Sequence, residues 1–274
     1  MTAAHWGVVG HRLVGAAAAA ALPPAMPAFF RDAADELSYL DPEPDRWRDK
    51  TESAIDPAMD GAYTADHYID LERIPAGALA ARNRFDYLDS LRHAGVGAAG
   101  GGLLPFRILE LTQRLREEFR LWRVAPDPRT RSYIEARIIN DAGILGHYVA
   151  DGSNPHHTTI HFDGWVGDNP HGYTTAHGFH ARFESIYVET HMVLADVSAG
   201  VDPTPRVVTP LRPAILDYLH TSNAKVDTLY QLDQRAPFDS ATTNPENKRF
   251  AAERLAAGAT MLRDLWWTAW ATSN

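Results

Sequence analysis

Apolar residues recur at helical spacing along most of the chain. In Phe106–Trp122, FRILELTQRLREEFRLW, they fall three and four positions apart with charged residues between, the pattern of a helix with one face on a core. Ser132–Ala150 reads as a long apolar helix. Gly10–Leu22 is Ala-rich and ends at Pro23-Pro24, which cannot continue a helix. Further helices are predicted over Met26–Leu40, Phe179–Val197, Leu211–Gln234 (with Pro213 as a first-turn residue) and Asn247–Ala271. Residues 41–80 are polar and read as irregular, residues 94–102 (AGVGAAGGG) as a flexible loop, and residues 152–176 as a Gly/Pro/His-rich loop. Alternating strand patterns are scarce and no 20–50-residue repeat is evident. The expectation is an all-α, multi-helix single domain over residues 1–274 with long polar loops.

Composition narrows the function. The chain has 274 residues, 45% of them hydrophobic and 22% charged, enough for a sizeable core. With no cysteine there is no disulfide, thiolate ligand or cysteine nucleophile. The net charge of −9 disfavours a passive nucleic-acid binder. It does not disfavour an enzyme acting on phosphates, because bound metal ions supply a local positive field. The apolar stretch Leu13–Leu22 is too short to cross a bilayer, and no basic segment precedes it, so neither a transmembrane nor a targeting segment is expected. No protein partner is evident.

Seven of the thirteen histidines lie between positions 147 and 180: His147, His156, His157, His161, His171, His177 and His180. His147 and Asp151 stand four apart, on one helix face, and His180 and Glu184 repeat that spacing. Each pair offers an imidazole nitrogen and a carboxylate oxygen, the ligands zinc takes when thiolates are absent. One such pair often only satisfies itself; two pairs flanking a His-rich loop point to metal. HExxH does not occur, so a thermolysin-like site is not indicated. His11, Asp45, His67 and Asp70 are further donors upstream.

The segments WGVVGH, DHYIDLE, GHYVADGSNPHH and HGFHARFE, in that order, resemble the zinc-dependent phospholipase C and single-strand-specific nuclease superfamily. NKRFAAERLAAGATMLRDLWWTAW resembles its last helix, so the likeness runs from Trp6 to Trp270. It implies three Zn²⁺ ions in one cleft, two of them close together. Carried over, Asp45, His67, His147 and Asp151 would hold the first ion. Asp151 would bridge to the second, which would also use His11 and the backbone of Trp6. His157, His180 and Glu184 would hold the third; His157 rather than His156 lies six residues after Asp151, as in the family. Asp41, Asp49 and Asp60 compete with Asp45 as the upstream ligand. In the family the tryptophan is the mature N-terminus and its amine binds metal. Here five residues precede Trp6; where they stay attached, a peptide N–H would replace that donor and leave the ion weakly held unless water or His5 filled the gap.

The resemblance implies a zinc-dependent phosphoric diester hydrolase using metal-activated water. Asp45 would steer that water or accept its proton, and Arg48, three residues on, would hold a phosphate oxygen. Tyr68 and Asp70 would stack on and hydrogen-bond a base in the nuclease branch, but comparable residues occur in the phospholipase branch. Glu184 in place of Asp, the absence of cysteine and the short loop from His157 to His180 favour the phospholipase C-like branch, acting on a phospholipid or small phosphoester. A single-strand-specific nuclease or 3′-nucleotidase is the alternative, and a non-catalytic zinc-bound binding protein the third. By resemblance, the chain would be secreted or periplasmic.

Overall fold

The computed structural model describes residues 6–48 and 50–274; of residues 59–62 and 98 only the backbone is described. The architecture rests on α1 (Gly7–Ala20), α2 (Ala34–Leu40), α3 (Leu104–Arg123), α4 (Pro128–Ser153), α5 (Leu211–Asn223), α6 (Val226–Arg235) and α7 (Pro245–Ala271). Among the described residues there is no β-sheet, only isolated bridges pairing Ile69 with Gly102 and Phe162 with Gly164. The chain is an all-α, multi-helix domain.

α4 is the axis. Asp127 caps it, accepting a hydrogen bond from the Thr130 N–H at 2.9 Å, and Pro128 opens its first turn. Its first half is amphipathic, whereas every residue from Asp141 to Ser153 is buried. A helix end buried on all sides needs neighbours all round, and α1, α2, α3 and α7 pack against it. Val14, Ala17 and Ala18 form the buried face of α1, where small side chains allow close approach to α2 and α7. Phe30 packs edge to face on Trp266 and at a tilt on Phe119, and the Trp266 indole donates to the Ala142 carbonyl at 3.2 Å.

Several boundaries differ from the sequence expectation. Residues 41–80 are not irregular: they hold short helices Glu43–Arg46, Lys50–Ile55 and Pro57–Thr64. The signal for the last of these was local, since Asp56 caps Ala58 N–H ahead of Pro57. Met26–Leu40 divides at Ala33, with no helix breaker there, and Leu211–Gln234 divides at Ala224–Lys225. Phe179–Val197 is interrupted: a π-helical turn runs from Arg182 to Tyr187, and the chain leaves the helix at Met192–Val193 before Leu194–Ser198.

The glycine run near residue 100 is more than a loop. Gly102 has φ +76°, and a Cβ there would lie 2.0 Å from the Tyr68 carbonyl oxygen, so only glycine allows the two segments to cross. Leu103 and Leu104 then donate to the carbonyls of Ala65 and Tyr68 at 2.7 and 3.2 Å. The crossing pins the His67 segment in place.

Candidate metal centre

Among the described residues, three groups of donor side chains converge where the C-terminal half of α4 meets the segments around it. They are His11, Asp45 and His147; His67, His147 and Asp151; and His157, His180 and Glu184, the donor atoms in each group lying within 4.8 Å of one another. The first two share His147 and form one inner set. His11 comes from the second turn of α1, not from its start, because the helix begins at Gly7. Asp45 sits on the short helix Glu43–Arg46, and His67 ends the 3₁₀ turn Ala65–His67. The spacing of His147 and Asp151 on α4 does the rest: Nε2 of His147 stands 3.3 Å from Asp151 Oδ2, 3.7 Å from Asp45 Oδ1 and 2.9 Å from His67 Nδ1. The opposite oxygen, Asp151 Oδ1, lies 3.6 Å from His11 Nε2.

The outer set is built on irregular backbone. Asn154 caps the 3₁₀ turn Pro155–Thr158, accepting from His156 N–H, and this turn carries His157. The Nδ1–H of His157 donates to the His67 carbonyl at 2.7 Å, which leaves the Nε2 lone pair facing Glu184 Oε2 at 3.3 Å and His180 Nε2 at 3.1 Å. Glu184 lies in the π-helical turn, with Oε2 2.7 Å from His180 Nε2. Such turns are uncommon and frequently mark functional sites. His157 also ties the sets together, its Nδ1 being 3.5 Å from Asp151 Oδ1.

The donors are electrically primed for cations. Burial lowers His11, His67 and His147 well below the ordinary imidazole range, so each is a neutral lone-pair donor. Burial also takes His180 down to about 4. Burial first, then Asp45 and Glu184, push the Asp151 carboxyl well above its usual range, and burial takes Glu184 up to about 7. Asp45 is raised too, chiefly by burial, with Arg48 opposing. Three carboxyls in one cleft, two of them fully buried, need a positive counter-charge if they are to ionise together. His11 Nε2, Asp151 Oδ1 and Glu184 Oε1 are buried without a hydrogen-bond partner, which a bound cation would supply. A tetrahedral centre with bonds of about 2.0–2.2 Å places neighbouring ligand atoms about 3.3–3.6 Å apart, close to many of the separations here. The residues therefore fit divalent metal ions with mixed nitrogen and oxygen ligands.

In comparisons with protein-family models, with curated proteins and with solved structures, nothing matches the chain. Its own geometry and donor chemistry carry the functional conclusion.

Other sequence-predicted residues take varied places. Trp6 is fully buried, its indole N–H donating to the Ala150 carbonyl at 2.7 Å and its ring 5.3 Å from Phe183. Arg48 is not a solvated surface residue: its side chain is only 8% exposed, with a nitrogen 4.0 Å from Asp45 Oδ1. Tyr68 is half-buried and donates its hydroxyl to the Ala99 carbonyl. Asp70 is buried, 3.7 Å from Arg73, and burial raises it to about 6. Of the competing upstream carboxylates, Asp41 turns to His11 Nδ1 at 3.0 Å and lies outside the three donor groups. His5, Asp49 and the side chain of Asp60 lie outside the described residues.

Sequence reasoning missed two supporting residues. Asn154 Nδ2 donates to Glu184 Oε2 at 2.9 Å. Asp163 Oδ1 accepts the N–H groups of Gly178 and His180 at 2.7 and 3.1 Å, fixing the backbone that bears His180. The Asn-Pro pair was a visible capping signal for the first; no local pattern marked the second.

Proposed function

We propose that the chain is a zinc-dependent phosphodiester hydrolase of the phospholipase C and single-strand nuclease type, with a phospholipid or small phosphoester as substrate. The observation that carries this reading is the convergence of His11, Asp45, His67, His147 and Asp151 in one inner set, joined through His157 to a third group, beside a nearly buried arginine. Asp45, His67, His147 and Asp151 would hold one ion. His11, the Trp6 backbone and the shared Asp151 would hold a second, and His157, His180 and Glu184 a third.

When bound, divalent cations neutralise phosphate charge and acidify water. Asp45, with 24% of its side chain exposed, is the carboxylate of the inner set that meets solvent, and it takes the role of orienting water and accepting a proton. Arg48 presents its guanidinium to a phosphate oxygen, and its contact with Asp45 keeps that group aimed at the cleft. The neutral histidines donate lone pairs and keep the net negative charge of the site low. Phe162, 48% exposed and 6.0 Å from the His180 ring, gives the outer set an apolar rim suited to an acyl-bearing substrate. Arg48, with Tyr68 and Asp70 nearby in sequence, supports the nuclease alternative.

One parallel assay separates these readings. Zinc-loaded protein is offered phosphatidylcholine, single-stranded DNA, RNA and a 3′-nucleotide, with and without chelator. Chelator-sensitive turnover of the lipid alone is expected. Turnover of nucleic acid or nucleotide alone moves the assignment to the nuclease branch, and full zinc loading without any turnover leaves a binding protein.

A further inference from the structure

We infer that Asp41 is a positioning residue that orients two histidines of the inner set at once, His11 through its carboxylate and His147 through its main-chain carbonyl. This rests on the reading of that set as a metal centre. Asp41 follows α2 directly and is succeeded by Pro42, which opens the short helix bearing Asp45. Its Oδ1 lies 3.0 Å from His11 Nδ1, and its carbonyl oxygen lies 2.9 Å from His147 Nδ1. The carbonyl demands a proton on His147 Nδ1 and the ionised carboxylate demands one on His11 Nδ1, so both Nε2 atoms are then left with lone pairs. Those two atoms face opposite oxygens of Asp151, at 3.6 and 3.3 Å. The imidazoles themselves stack with centroids 4.0 Å apart and planes 15° from parallel. One residue thus sets the tautomer and direction of both rings.

A second observation concerns the space around that carboxylate. A Cβ added at Gly146 would lie 2.5 Å from Asp41 Oδ2, and one added at Gly15 would lie 2.9 Å from it. Real Cβ atoms do not approach so closely, so glycine in α4 and in α1 makes room for the carboxylate between the two helices. Asp41 is 1% exposed and its Oδ2 is buried without a hydrogen-bond partner. An ionisable group with half its capacity unused is retained at a cost, which is explained if its other oxygen is needed to hold His11. Carboxylate and carbonyl partners of metal-binding histidines act in this way, and losing one weakens metal binding about 10–100-fold.

The test separates side chain from main chain. Asp41→Ala removes the acceptor for His11 but leaves the carbonyl that holds His147. Histidine ¹⁵N spectra of the zinc-free protein are expected to show His11 losing its single Nδ1–H tautomer while His147 keeps it. Zinc competition with a chelator is expected to show one inner ion weakened about 10–100-fold, with the ion at His157, His180 and Glu184 unchanged. Asp41→Asn keeps an oxygen acceptor and is expected to restore the tautomer while recovering only part of the affinity, since the acceptor has lost its charge. A general loss of structure would disturb both histidines and all ions alike. Wild-type His11 spectra in folded Asp41→Ala overturn the proposal; if that variant does not fold, wild-type zinc affinity in Asp41→Asn overturns it. If the wild-type protein binds no zinc, the metal-centre reading falls, and the His11 tautomer in the same samples still decides the role of Asp41.

Discussion

The inner and outer donor sets differ in what holds them. His147 and Asp151 stand on the fully buried half of α4, and His11 sits in the second turn of α1. Four segments meet there, and Asp41 braces two of the rings. The outer set uses a 3₁₀ turn and a π-helical turn, with His180 14% exposed and an exposed Phe162 beside it. Regular helices place ligands through many cooperative backbone hydrogen bonds, whereas irregular turns depend on a few side-chain contacts, here from Asn154 and Asp163. His11, His147 and Asp151 of the inner set are therefore held by core helices, whereas the outer set rests on irregular turns, buried though His157 and Glu184 are.

Asp151→Ala should have the largest effect, because its two oxygens face His147, His67 and His11 together. Activity should fall by more than the 10–100-fold typical of losing a mere supporting partner, and elemental analysis should find inner zinc lost with the outer ion kept. Equal loss from both sets would erase the distinction between them. Glu184→Ala should remove about one equivalent of zinc and most activity, yet leave the inner ions and the fold intact; full zinc content would remove Glu184 from the ligand set. Arg48→Ala should keep every zinc ion and lower kcat about 100-fold, the scale of one lost transition-state donor. Arg48→Lys should recover only part of this, since lysine lacks the paired donors. Normal kinetics in a zinc-loaded Arg48→Ala protein would end its assigned role.

The smallest effect should come from a buried carboxyl pair outside the cleft. Glu118 on α3 stands beside Asp141 on α4, with Arg114 2.5 Å from Asp141 and Arg137 3.9 Å from Glu118. Burial first, then Asp141, raises Glu118 from 4.5 to about 7. The folded chain therefore keeps a proton that the unfolded chain releases between those values. The resulting stability is full below pH 4.5 and is lost as pH rises through about 7. Glu118→Gln should flatten the fall in Tm between pH 5 and 7.5 (about the span of that shift) without changing zinc content. An identical fall in both proteins would show that the pair is not the source. Here a proton kept on Glu118 lets it stay buried beside Asp141; in the cleft the proposed metal ions take that part.

Much of the centre was legible before any fold was known. His147 with Asp151 and His180 with Glu184 stand at a spacing that any helical turn converts into proximity, and the Asn154–Pro155 turn explains how His157 reaches the second pair rather than the first. Asp41 was visible only as a rival to Asp45, because nothing local tells a ligand from a residue that orients one. Nothing local showed how far Arg48 would be buried, and the glycines near residue 100 read as slack rather than as the crossing that secures His67. The interruptions at Ala33 and through Arg182–Tyr187 had no local signal.

What the sequence by itself determined was the helical class, the long apolar helix that becomes α4 and the chemical kinds of donor, since hydrophobic period and side-chain chemistry are properties of nearby residues. Only the tertiary structure decided which Nε2 atoms face Asp151, which carboxylate braces and which faces the cleft, and how close Arg48 lies to Asp45. Those outcomes depend on packing between segments up to about a hundred residues apart, such as Asp41 against His147, where distance along the chain carries no information about distance in space.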